Sequence, residues 1–185
     1  MFSSKHSSCT TILVGKKASY DGSTIIARNE DAGEAVHPKK FVVVESEDQP
    51  RDYHSKLTNF AVKLPENIEI YLSADAVPGE GIWGEAGINA HNVAMSATET
   101  ITTNARVIGA DPFEKDGLGE EDLLTITLPY INSAREGVQR LVSCLRSMAL
   151  MNLTGFCSQT SMKFGTWKLP AAITGLLSGF QMMPM

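Results

Sequence analysis

Thr10-Thr-Ile-Leu-Val14 is a β-branched, apolar run, Thr24-Ile-Ile-Ala27 is another, and the turn-forming Tyr20-Asp-Gly-Ser23 separates them. Two such runs around a turn predict a β-hairpin that reverses between about Lys17 and Gly22. The hairpin constrains everything near it. Cys9 stands at its mouth, and the returning strand brings Arg28, Asn29 and Asp31 back toward that cysteine.

Further strands are expected at Phe41–Val44, Ile68–Ser73 and Asn92–Thr98, divided by connectors rich in Pro, Gly and Asp. Beyond Asp111 the pattern turns helical. Glu120-Glu-Asp places acids at a helix start, Pro129 interrupts, and Ser133-Ala-Arg-Glu136 has capping-box spacing for another helix. Strands followed by helices predict an α+β layered fold.

With 185 residues, 43% of them hydrophobic, the chain is long enough to bury one core. Its formal net charge of −5 argues against nucleic acid, which selects basic surfaces. Cys9, Cys144 and Cys157 are too few and too scattered for a disulfide framework, which fits a reducing compartment. The leading Met-Phe-Ser-Ser-Lys-His-Ser-Ser lacks the apolar stretch of a secretion signal, so a cytoplasmic location is expected. The terminal Leu169–Met185 is apolar, but Pro170, Gly175, Gly179 and Pro184 break it and it is 17 residues long, so no membrane partner is expected.

Gly79-Glu-Gly-Ile-Trp-Gly84 satisfies the glycine pattern of a dinucleotide loop, yet Pro78 precedes it and Glu80 and Glu85 would repel a pyrophosphate. A glycine-rich loop beside a site is the better reading. His6, His37, His54 and His91 have no metal-ligand spacing, so neither a metal nor a cofactor is expected.

Cys9 carries the chemistry. A lone cysteine at a strand edge is ordinarily a small packing residue. Removal of the eight residues before it would expose its α-amino group, a base with a reference pKa of about 7.7 to 8.0. That amine can take the thiol proton at neutral pH without a histidine. Arg28 would favour the thiolate, and Asp31 would orient the amine.

Cys-Thr-Thr-Ile-Leu-Val-Gly, the turn, and Ala-Arg-Asn-Glu-Asp, in that order, resemble the N-terminal-nucleophile hydrolases, specifically the bacterial dipeptidase A family of cysteine peptidases. The stretches from Gly84 to Phe113 and from Gly117 to Leu141 resemble the same family. The resemblance implies a four-layer αββα sandwich, removal of a short propeptide, and dipeptide hydrolysis through a thioester on Cys9. More distant relatives, the bile-salt hydrolases and penicillin V acylases, share the Arg-Asn-x-Asp strand. They place an oxyanion-binding asparagine where this chain has Thr98 or Glu99. Glu99 cannot stabilise an oxyanion but can pair with a dipeptide's ammonium, so Asn29, Thr98 and Glu99 are assigned to substrate binding.

Past Leu141 the composition changes. No acidic residue follows Glu136, and six of the eight methionines lie from Met148 onward. Met162 followed by Lys163, and Trp167 followed by Lys168, each force a glutamate codon one base earlier, and the intervening codons permit a family-like string. The expected organisation is a propeptide over 1–8, the N-terminal part of a dipeptidase domain over 9–141, and an out-of-frame tail over 142–185. The sandwich would then be incomplete in this chain, and its activity correspondingly reduced or lost. Alternatives are an acyl-amide hydrolase and a non-catalytic remnant; self-association is left open. Intact mass of an active preparation is expected to begin at Cys9, and full activity with the eight leading residues attached would overturn that processing step.

Overall fold

The computed structural model describes residues 9–30, 39–66, 71–77, 81–98, 105–110, 117–149, 159–162 and 165–168. The leader, Asp31 and Glu99 lie outside them, as do Ile68 to Ile70 of the strand expected at Ile68–Ser73.

The strands are β1 (Thr10–Val14), β2 (Ile25–Asn29), β3 (Lys40–Val44), β4 (Asp52–His54), β5 (Ala61–Lys63), β6 (Tyr71–Val77), β7 (Gly81–Ile82), β8 (Ala86–Asn89) and β9 (Ala94–Thr98). Helices α1 (Ala105–Ala110), α2 (Glu120–Thr127) and α3 (Ala134–Ala149) follow, then β10 (Gln159–Met162) and β11 (Gly165–Lys168). The protein is thus α+β, as its strand-then-helix order predicts. Helix α3 runs unbroken through Leu141, and the described tail strands extend the main sheet.

That sheet is antiparallel, in the order β11-β10-β9-β8-β6-β3, with β7 also paired to β6. The β1–β2 and β4–β5 hairpins stand apart from it. Strand β9 is the packing hinge of the fold, because alternate side chains of a strand point to opposite faces. Ser96 faces the first hairpin, where its hydroxyl lies 3.3 Å from that of Thr11. Met95 and Ala97, both buried, join Leu123, Leu124 and Ile126 of α2 in the core. Hairpin, sheet and helix therefore form three successive layers.

Helix α2 is buried on every side that its described residues present, including Glu121 and Asp122. A carboxylate in such a place must be hydrogen-bonded. Asp122 accepts from the Tyr53 hydroxyl at 2.6 Å and from the Gly119 amide at 2.8 Å, which also caps the helix start. Burial pushes the Asp122 carboxyl up, and the Tyr53 hydrogen bond opposes that shift. Burial likewise raises the Tyr53 hydroxyl, with the Asp122 charge adding to it. Pro129 sits in a short 3₁₀ turn, Leu128–Tyr130, that separates α2 from α3. At the start of α3 the Glu136 amide donates to Ser133 Oγ at 3.3 Å, while the Glu136 carboxylate accepts from the Asn132 amide at 2.7 Å. The expected cap forms, with its return bond shifted by one residue.

Asn89 ties the β8–β9 turn to the helical layer. Its Oδ1 accepts from the amides of His91 and Val93, each at 3.0 Å. Its Nδ2 donates to the carbonyls of Leu128 at 2.9 Å and Ile131 at 2.7 Å. With two bonds at each end, this asparagine is fully used in structure.

Gly84 lets the loop before β8 touch α2 directly. Its amide donates to the Glu121 carbonyl at 2.9 Å, and a Cβ there would come within 2.7 Å of both that oxygen and Thr125 Oγ1. Backbone and a buried side chain cannot both yield. Gly84→Ala is expected to lower stability by about 1 to 3 kcal/mol, read as an earlier urea midpoint at unchanged slope.

Candidate active site

The hairpin register sets the site. Thr10 pairs with Asn29 and Thr11 with Arg28, so the returning strand ends beside Cys9. Alternation puts Cys9, Thr11, Ile26 and Arg28 on the face turned toward the main sheet. Asn29, opposite Thr10, is exposed on the other face.

Cys9 is buried, its thiol outside any disulfide. Arg28 Nη2 donates to Cys9 Sγ at 3.2 Å. The same guanidinium uses Nη1 to reach the Glu85 carboxylate at 2.8 Å and Glu30 at 3.3 Å. Lys39 donates to the same oxygen of Glu85 at 2.9 Å and pairs with Glu30. The side chains of Arg28, Glu85 and Lys39 are 7%, 9% and 14% exposed, far below what a solvated surface pair would show. Two cations and two anions thus form one cluster beside the Cys9 thiol, with Glu30 at its more exposed rim.

Charge next to sulfur decides its chemistry. A guanidinium in hydrogen-bond contact favours the thiolate, which is the attacking form. Beside Arg28 lies a pocket of about 500 Å³ between the hairpin and the sheet. Arg28 and Glu30 form its charged end, and Ile26, Phe41 and Ile88 supply apolar walls. Among the described residues no cluster of His, Cys, Asp or Glu could hold a metal ion, and no helix is long and apolar enough to cross a membrane.

Of the residues singled out from sequence, Cys9 and Arg28 meet directly. Asn29 lies at the hairpin's exposed face, and Thr98 ends β9, paired with Gln159 of β10. Asp31 and Glu99 fall outside the described residues. Glu30, Lys39 and Glu85 escaped the sequence reading. Glu85 is 57 residues from Arg28 in the chain and entered that reading only as an acid hostile to phosphate. The one local signal was the alternation Arg28-Asn29-Glu30, which puts two opposite charges on one strand face.

A buried cysteine thiol carried on a hairpin and held by a guanidinium is the defining feature of this site. Comparison supplies the class, since the model of peptidase family C69 matches residues 8–163, and the chain belongs to that family. The matched stretch extends past Leu141 to include β10. A probable dipeptidase B of Lactococcus lactis is 59% identical over 141 residues, covering 76% of this chain and 30% of that protein. A probable dipeptidase A of Streptococcus pyogenes is 58% identical over 150 residues, covering 80% and 32%. A dipeptidase of Bifidobacterium longum is 54% identical over 164 residues, covering 80% and 30%. The chain therefore spans about a third of the length of these curated relatives.

Replacing Arg28 with Gln removes the cation at Sγ. Iodoacetamide alkylation of Cys9 at neutral pH is expected to slow about tenfold, the effect of losing one adjacent charge. Peptide-resolved mass spectrometry separates Cys9 from Cys144 and Cys157; an unchanged rate at Cys9 would leave Arg28 as a structural ion pair.

Proposed function

We propose that this chain carries the nucleophile-bearing part of a cysteine dipeptidase that hydrolyses dipeptides through a thioester on Cys9. The observation that carries it is the 3.2 Å contact between Arg28 Nη2 and Cys9 Sγ, and the dipeptidase names of the similar proteins support the substrate class.

In this reading, loss of the leader frees the Cys9 amine. The amine takes the thiol proton, and the thiolate, favoured by Arg28, attacks the peptide carbonyl. Collapse of the tetrahedral intermediate breaks the C–N bond, and the leaving amine receives that proton. Water, deprotonated by the same amine, then cleaves the thioester and restores the thiol. Asp31 orients the amine, while Asn29, Thr98 and Glu99 contact the dipeptide, with Glu99 taking its ammonium.

The finer fold, an αββα sandwich, belongs to the same proposal. Hairpin, sheet and helix supply three layers in the required order, and Ile12 and Ile25 are exposed on the hairpin face turned away from the sheet. Apolar side chains on a strand face are what a further packed layer would cover. The reading frame is proposed to change after Leu141, with residues 142–185 replacing family sequence.

The test compares this chain with a version restored to frame after Leu141, both freed of the leader, against a panel of dipeptides and acyl amides. The restored version is expected to release amino acids from dipeptides, with Cys9→Ala abolishing release, while the 185-residue chain is nearly inactive. Positioning and oxyanion stabilisation supply much of a hydrolase's rate, and both need a rigid scaffold. Equal rates from the two would sink the frame proposal, and turnover of acyl amides alone would sink the dipeptidase reading.

A further inference from the structure

Glu85 lies outside the hairpin, yet its carboxylate, like that of Glu30 on the hairpin, is shared by Arg28 and Lys39. Its backbone is fixed from three directions: its amide donates to the Trp83 carbonyl at 2.8 Å, its carbonyl accepts from Ala97 of β9 at 2.8 Å, and neighbouring Gly84 docks on α2. The carboxylate is therefore presented from rigid structure. Arg28, by contrast, comes from a two-stranded hairpin, an element that is marginal by itself, and its long side chain has several rotamers to lose.

We infer that Glu85 is the positioning residue for the Cys9 nucleophile: it grips one nitrogen of the Arg28 fork so that the other is held against Sγ. The planar guanidinium makes this geometry work. Its two terminal nitrogens keep a fixed separation, so fixing Nη1 at Glu85 fixes Nη2 at Cys9. Lys39, bound to the same carboxylate oxygen, holds Glu85 in that rotamer and offsets part of its charge. A lysine in place of Arg28 could not bridge the two groups.

This inference rests on Cys9 as the nucleophile of the proposed dipeptidase, but its readout is thiol reactivity and not turnover. Two variants separate reach from charge. Glu85→Asp keeps the charge and withdraws it by one methylene; Glu85→Gln loses the charge and keeps an acceptor oxygen at the same reach. Each is made in the full chain, and Cys9 alkylation by iodoacetamide is followed by peptide-resolved mass spectrometry across the neutral pH range, with Cys144 as internal reference.

Positioning predicts that Glu85→Asp slows Cys9 alkylation about fivefold and moves its pH profile upward, because the guanidinium no longer favours the thiolate. Glu85→Gln should stay within about twofold of the parent, since a neutral acceptor still orients the donor. In an Arg28→Gln background neither variant should change the rate further. An unchanged Cys9 profile in Glu85→Asp would overturn the inference, as would an equal fall in both variants, which would make Glu85 a charge-balancing group. If the version restored to frame after Leu141 turns over no dipeptide while the alkylation pattern holds, the substrate reading fails and the positioning role stands.

Discussion

A guanidinium withdrawn from water must be matched by carboxylate, and that requirement organises this molecule. An uncompensated buried charge costs several kcal/mol, more than most packing contacts return. Arg28 meets it with Glu85 at 2.8 Å and Glu30 at 3.3 Å. Glu30 is local, two residues along the same strand. Glu85 is distant, so its ion pair draws together elements that the chain folds separately: the Cys9 hairpin and the start of β8 inside the main sheet.

The path from core to nucleophile is short and made of rigid parts. Met95 and Ala97 bury β9 against α2, Ala97 binds the Glu85 carbonyl, and Gly84 seats the same loop on the first turns of α2. Each step is a backbone hydrogen bond or a packed side chain, and the last is the Glu85 carboxylate reaching Arg28. The Thr11–Ser96 contact holds the hairpin from the same side. Stability of α2 and geometry at Cys9 are in this way parts of one structure. The buried Tyr53–Asp122 pair that anchors the helix start contributes to the site without touching it.

The hairpin was legible in sequence because strand propensity and turn residues agree over Thr10 to Asn29, and this agreement brought Arg28 to Cys9. Strands β3 and β9 and the helices α2 and α3 were legible for the same reason, each being long enough to show its own pattern. Strands β4 and β5 were not, since three residues cannot display alternation, and α1 carries no capping signal. The acids of α2 read correctly as a helix start, but the burial of Asp122 depends on Tyr53, distant in the chain, and on the Gly119 amide. Glu85 was illegible on principle. Its partner lies 57 residues away, and no local pattern distinguishes a buried carboxylate awaiting an arginine from an exposed one.

The charge balance of the cluster bears on the proposed mechanism, in which a free amine on Cys9 takes the thiol proton. Among the described residues, Arg28 and Lys39 balance Glu30 and Glu85, so these side chains sum to zero while Cys9 holds its proton. Ionising the thiol alone would leave a net negative charge in a largely buried place, a cost that grows as the local dielectric falls. Passing the proton to an amine on the same residue creates a thiolate and an ammonium together, and neutrality is kept. The two new charges sit within one residue, and Arg28 Nη2 lies 3.2 Å from the sulfur. In the proposed mechanism, proton transfer within Cys9 therefore adds no net charge beside Arg28, Lys39, Glu30 and Glu85.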